Sequence, residues 1–158
     1  MTNKNLLEER DLITLRNFTD NDAIELQQKC CVNMSLNEIK ALLAKWQEKK
    51  FEGKYFEMFA VIKDKEIVGM ISLYQHSKNV ISCGPETFEC YRKQGIAEEA
   101  MILAMEIAKN KGYKLVSQQI RVNNTASISL HKKLGFETDE YIYRNQKGNN
   151  VQIFTKLL

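Results

Sequence analysis

One proline in 158 residues excludes a proline-rich linker or stalk, and no internal repeat or low-complexity stretch interrupts the chain. Histidine is nearly as scarce. His76 and His131 do not complete a zinc spacing with Cys30, Cys31, Cys83 and Cys90, and no C-x-x-C pair occurs, so no metal is expected and the thiols are read as reduced. No apolar run approaches a membrane span, and the stretch beginning Met1-Thr2-Asn3-Lys4-Asn5 lacks the apolar core of a signal peptide. The expected location is the cytoplasm, with no membrane partner. Basic blocks are absent as well. The formal charge of +3 comes from interspersed Lys and Glu, which gives no reason to expect nucleic acid but leaves a small anionic ligand compatible. The remaining composition, 44% apolar and 27% charged, is that of an ordinary folded chain, and the length suits a single domain over residues 1–158.

The periodicities give a β-α-α-β-β-β-α-β-α-β-β order, hence a mixed α/β (α+β) sheet with helices packed on it. After a polar lead-in from Met1 to Glu9, a short strand is expected around Leu12 to Arg16. Thr19 or Asp20 should cap a helix through Leu26, and Ser35 or Asn37 a second helix near Glu38 to Lys50 with Trp46 on its buried face. Tyr55 to Ile62 and Glu66 to Tyr74 read as a hairpin closed by Lys63-Asp64-Lys65. Gly69 within it marks a bulge or a close approach of another group. An extended segment, Val80 to Tyr91, leads into a helix from Gly95 or Ile96 to about Lys111. Then come a strand (Lys114 to Val122), a helix (Asn124 to Leu134) stopped by Gly135, and a final hairpin of Phe136 to Asn145 with Val151 to Leu158.

The turn Arg92-Lys93-Gln94-Gly95-Ile96-Ala97 stands out because it feeds a strand into a helix N-terminus. The first N–H groups of a helix lack internal partners and carry the positive end of its dipole, while Gly95 and Ala97 leave their approach clear. Two readings are open on these six residues: an anion site, or an ordinary turn with solvated cations. Neither the Walker lysine–hydroxyl pair nor three spaced glycines is present, which argues against a nucleotide site.

A second stretch, Asn123 to Phe136, follows the next strand. In the two motifs, their order and their separation, the chain resembles the GNAT superfamily of N-acetyltransferases. Arg92, Gly95 and Ala97 match its R/Q-x-x-G-x-G/A signature. Asn124, Ser127, Leu130, Leu134, Gly135 and Phe136 match the form N-x-x-A/S-x-x-L-(Y)-x-x-L-G-F, somewhat closer to the branch containing ribosomal-protein N-terminal acetyltransferases. The resemblance covers the chain from the Leu12 strand to Leu158. It implies a largely antiparallel sheet splayed between its fourth and fifth strands, with the pantetheine arm of acetyl-CoA in the gap. The cosubstrate would be held by Arg92, Lys93, Gln94, Gly95, Ile96, Ala97, Asn124 and Ser127. A backbone N–H near Thr87 or Phe88 would polarise the thioester carbonyl. An acceptor amine, of a small molecule or a protein N-terminus, would attack directly, in a monomer or homodimer.

Where many relatives carry a tyrosine that protonates the departing thiolate, this chain has His131. A histidine can be that acid if a carboxylate raises its pKa, can merely bond the sulfur, or can be an exposed residue beside Lys132 and Lys133. Ser127, one turn earlier on the same face, is a second candidate at the thiol. For the base, Glu86 is preferred over Glu89, with Glu57 and His76 as rivals, and a solvated strand-face charge is the plainer reading of each carboxylate. A non-catalytic acyl-CoA-binding or sensing domain of the same fold is the alternative.

Overall fold

In a computed structural model, which describes residues 12–158, the chain forms four helices and nine strands. The lead-in expected from Met1 to Glu9 lies outside the described residues. In order the elements are β1 (Thr14–Asn17), α1 (Ala23–Lys29), α2 (Leu36–Gln47), β2 (Lys50–Phe51), β3 (Lys54–Lys63), β4 (Glu66–Gln75), β5 (Val80–Thr87), α3 (Ile96–Asn110), β6 (Leu115–Arg121), α4 (Thr125–Lys133), β7 (Glu137–Thr138), β8 (Tyr143–Arg144) and β9 (Asn150–Leu157). One sheet runs β1-β3-β4-β5-β6-β9-β7, with β2 beside β3 and β8 beside β9. Every pairing is antiparallel except β5 with β6.

Local chemistry accounts for the element ends. Ser35 accepts from the Glu38 N–H while the Glu38 carboxylate accepts from the Ser35 N–H, a reciprocal capping box that starts α2. Asp64 and Lys65 both take left-handed φ, +48° and +64°, which matches the twist of the two strands they join. Gly69 serves both expected purposes. It faces the register shift between Val61 and Ile62, and a Cβ there would lie 2.4 Å from the Glu86 carbonyl oxygen on β5.

Two cores cover the two sheet faces. Ile71, Leu73, Ile81 and Val116 pack under α3 with Met101 and Ala104. On the opposite face Ala60, Met70 and Phe88 pack with Leu26 of α1 and with Ile39 and Leu43 of α2. Strand alternation therefore puts Phe56, Met58, Tyr74, Ser72, Ser82, Gly84 and Glu86 on the α1/α2 face.

Three regions differ from the sequence reading. The second helix, expected near Glu38 to Lys50, ends at Gln47, and Lys50–Phe51 forms the short strand β2. The segment from Val80 to Tyr91 stays extended only to Thr87, and Glu89–Tyr91 winds into a 3-10 turn that re-aims the chain toward α3. The final hairpin is broken: β7 and β8 each pair with β9, and the residues between them loop outward.

Because the Gly69 contact is with backbone, the strand cannot yield cheaply. Gly69→Ala should destabilise the fold by about 1–3 kcal/mol, read as a lowered urea midpoint with an unchanged slope.

Candidate active site

β5 and β6 pair at Val80↔Leu115 and Ile81↔Val116 and at no further position. Beyond Ile81 the strands part. At the vertex a side chain substitutes for the missing ladder: the Cys83 N–H donates to Gln118 Oε1 at 3.2 Å. Further out, the Phe88 N–H donates to the Val68 carbonyl at 3.0 Å, so antiparallel alternation turns Cys83, Pro85 and Thr87 toward the gap. Pro85 has no N–H to leave unpaired, and Thr87 presents the gap-facing donor. The opening is a cavity of about 840 Å³ whose walls include Pro85, Thr87, Gly95, Ile120, Asn124 and His131.

The N-terminus of α3 closes one end of this cavity. Lys93 and Gly95 take left-handed φ of +62° and +75°, and no side chain caps the helix at Gly95. The N–H groups of the first turn are therefore not spent on a cap, in a loop that also carries Gln94, Ile96 and Ala97. The Arg92 guanidinium folds back over the end of β5, its Nε donating to the Thr87 carbonyl at 3.3 Å. Glu98 on the cavity wall would repel an anion, but Lys133 of α4 pairs with it at 2.7 Å. Asn124 Oδ1 accepts from the Ser127 N–H at 3.1 Å and starts α4.

The structure corrects two sequence expectations here. Phe88 is buried and its N–H is spent on Val68, so of the two donors expected near the thioester Thr87 is the one left open. His131 is neither an exposed helix residue nor an acid with a raised pKa: it is 1% exposed, set against the rings of Phe136 and Phe154 at 4.8 and 6.2 Å. Burial pulls its pKa below the ordinary 6.5, against a smaller upward effect of the Ser127 carbonyl. Nδ1 lies 2.7 Å from that carbonyl oxygen, which only accepts, so Nδ1 carries the proton and Nε2 the lone pair. Nε2 is buried with no hydrogen-bond partner among the described residues. Ser127 Oγ stands 3.4 Å from Nδ1.

The carboxylates separate clearly. Glu57 is buried and fully engaged. Lys49 lies 3.2 Å and Lys111 3.8 Å away, Asn17 donates at 3.0 Å, and the Tyr55 hydroxyl donates as well. Burial pushes the carboxyl up, but these bonds together hold it below its usual range. It faces the α3 side, which removes it as a rival base. His76 is exposed, edge-on to Tyr74 at 5.2 Å. Glu89 sits in the 3-10 turn beyond the end of β5. Glu86 is exposed at the cavity on the α1/α2 face. Burial, then the neighbouring Cys31, then the charge of Glu86 push the Cys30 thiol up to about 12. Gln118 and the Lys133–Glu98 pair were not found from sequence. Pro85 was a usable signal, since a proline inside a strand needs a side with no ladder partner. Among the described residues no three His, Cys, Asp or Glu side chains form a metal-binding group, and no helix is long and apolar enough to cross a membrane.

A sheet parted beside an uncapped helix N-terminus offers backbone groups that an extended, anion-ended ligand could pair with. Residues 6–137 match the family model described as an acetyltransferase (GNAT) domain. The chain belongs to the GNAT acetyltransferase family. The SPbeta prophage-derived uncharacterized N-acetyltransferase YokL of Bacillus subtilis (strain 168) is 32% identical over 97 residues, which are 60% of this chain and 55% of that protein. The chain thus matches little more than half the length of that relative. Among solved structures, the RimL ribosomal L7/L12 alpha-N-protein acetyltransferase in complex with coenzyme A superposes with a TM-score of 0.80 at 16% identity, over 92% of this chain and 94% of that one. Mycobacterium smegmatis RimJ in complex with CoA-disulfide does so with a TM-score of 0.80 at 14% identity, over 94% and 83%. At these identities the likeness to the two structures is one of fold.

The buried neutral imidazole predicts an acid-sensitive fold. With the folded pKa below 6.5, the unfolded chain binds the extra proton between the two values, so stability is full above about pH 6.5 and falls as pH drops toward the folded value. His76 shifts in the same direction, so urea unfolding should be compared in a His76→Gln background. There, His131→Leu should flatten the remaining loss between about pH 7 and pH 5.5.

Proposed function

We propose that this protein is an acetyl-CoA-dependent N-acetyltransferase, a single cytoplasmic domain acting as monomer or homodimer, which moves an acetyl group to a primary amine of a small molecule or a protein N-terminus. The observation that carries the reading is the parting of β5 from β6 beside the uncapped start of α3. The residues present fit the cosubstrate. The N–H groups of Gln94 to Ala97, with Arg92 and Lys93, would hold its pyrophosphate, and Asn124 and Ser127 would line the arm. The Thr87 N–H would meet the thioester carbonyl. Acetyl-CoA supplies the acetyl group as a thioester that the amine attacks directly, with no covalent enzyme intermediate. His131, neutral with its lone pair on Nε2, would accept an N–H or S–H of the arm and so position it rather than deliver a proton. Glu86 would take the proton of the amine, since it is the exposed carboxylate at the cavity on the face away from α3.

A second reading, a non-catalytic acyl-CoA-binding domain, draws support from the engagement of Glu57 and the depressed pKa of His131, which remove two candidates for acid–base work. Cofactor binding with no turnover across peptides and small amines would favour it.

Calorimetric titration with acetyl-CoA tests the cosubstrate. Binding in the micromolar range, which corresponds to about 8 kcal/mol, should be abolished by Gly95→Glu with circular dichroism unchanged; no binding by the unaltered protein would overturn the reading. Glu86→Gln should lower kcat by roughly 10²-fold or more while acetyl-CoA affinity holds. Unchanged turnover at saturating amine would remove Glu86 from the base role.

A further inference from the structure

The α1/α2 face of the sheet carries a second cleft, of about 580 Å³, that the cosubstrate cavity does not include. Its walls are aromatic: Trp46 from the end of α2, Phe51 from β2, Phe56 from β3 and Tyr74 from β4. Phe51 lies 6.2 Å from Phe56 and 5.9 Å from Tyr74, centroid to centroid, tilted to the one and edge-on to the other. A ring that large would ordinarily be buried, yet Phe51 is 55% exposed. It is held out by a tight hairpin in which Lys49 and Glu52 take left-handed φ of +52° and +48°, a conformation non-glycine residues rarely adopt. The mouth is electrically balanced. Lys45 and Lys50 stand against Glu48 and Glu52, all four exposed, so the cleft has no net field to favour a polycation or a polyanion.

Its place in the sheet gives it a use. Phe56 pairs with Tyr74, and Tyr74 with Ser82. Two residues further along β5 on the same face is Gly84, and two beyond that Glu86, both at the rim of the cosubstrate cavity. At a strand rise of about 3.4 Å per residue, the aromatic walls lie roughly 7 Å from the level of Gly84 and 14 Å from that of Glu86. The row between them on this face is Met58, Ser72 and Gly84, so next to β5 the side chains are small, and a Cβ on Gly84 would come 2.9 Å from Ser72 Oγ.

We propose that this cleft is the acceptor-body subsite: it takes the apolar, preferably aromatic, end of a primary amine whose nitrogen reaches the parted strands between Gly84 and Glu86. The inference rests on the acetyl transfer proposed above and assigns the acceptor class, a monoamine on an aromatic body through a short spacer. The step balances as amine plus acetyl-CoA giving amide plus CoA thiol. The C–N bond forms, the thioester C–S bond breaks with its electron pair on sulfur, and the proton lost by nitrogen passes through Glu86 or water to the thiol.

Trp46 is the sole tryptophan of the chain, which makes the cleft its own reporter. Phenethylamine, butylamine and spermidine should be titrated into the protein saturated with CoA while Trp46 fluorescence is read, and each then assayed with acetyl-CoA. Phenethylamine should perturb the fluorescence and be acetylated with kcat/KM at least about tenfold above the other two. Phe51→Ala, a change at an exposed ring, should remove about tenfold of that advantage through KM while acetyl-CoA affinity holds. The inference is overturned if butylamine or spermidine is preferred, if Phe51→Ala leaves KM unchanged, if phenethylamine binds without turnover, or if no amine is acetylated although acetyl-CoA binds. Dimerisation of the protein that Phe51→Ala abolishes would mark the face as a contact between copies and likewise overturn it. Failure of acetyl-CoA to bind at all would instead fell the transferase reading beneath it.

Discussion

The parting of β5 from β6 is the constraint on which the rest of this structure depends. Backbone N–H and C=O groups inside a sheet must be paired or solvated, and two central strands that separate after two residue pairs leave a row of both. The chain limits the cost locally. Pro85 contributes no donor to the open side, and the Gln118 side chain satisfies the Cys83 N–H at the vertex. On the other edge of β5, Gly69 lets the strand lie against β4 so closely that a single methyl group would meet backbone oxygen. The sheet is thus tight where β5 meets β4 and open where it faces β6, and a ligand that can hydrogen-bond like a strand is the natural occupant of the opening.

The helices that flank the gap serve electrostatic ends as well as packing. α3 buries Ala100, Met101 and Ala104 and so directs its uncapped N-terminus at the cavity. α4 brings Lys133 to pair with Glu98, one of the two acidic residues in the first turn of α3 and the one on the cavity wall. α4 also carries His131 inward, where Phe136 and Phe154 desolvate it and the Ser127 carbonyl fixes its tautomer. A lone pair placed in apolar surroundings with no partner among the described residues is costly.

The two faces of the sheet divide the chemistry. The cavity between the parted strands opens beside α3 and α4. Glu86, the Cys30–Cys31 joint and the aromatic cleft share the face covered by α1 and α2. Between them lies only the thickness of β5, where Gly84 and Pro85 carry little side chain. For the transfer proposed above, this thin separation would let two reactants on opposite faces meet without either crossing the core, which is the positional requirement of a direct transfer.

Much of this was readable in the residues. Apolar spacing placed α3, the Ser35/Glu38 pair marked the start of α2, Gly69 marked the close approach, and the turn around Gly95 with the Asn124–Phe136 stretch marked the family and the splayed sheet. These features are local, because caps, turns and helical stripes act through residues a few positions apart. The environment of His131 was not local: whether it faces solvent or core depends on Phe154, which reaches it from β9. Nor was the fate of Glu57, neutralised by Lys49 and Lys111 from remote elements, or the loss of the Phe88 donor to Val68 across the sheet. The sequence by itself determined the order of the helices and long strands and the glycine turn at the start of α3, since both follow from short-range patterns of charge, glycine and apolar period. Only the tertiary structure decided which titratable groups are solvated, paired or buried, because desolvation and pairing come from neighbours that the chain brings together over tens of residues.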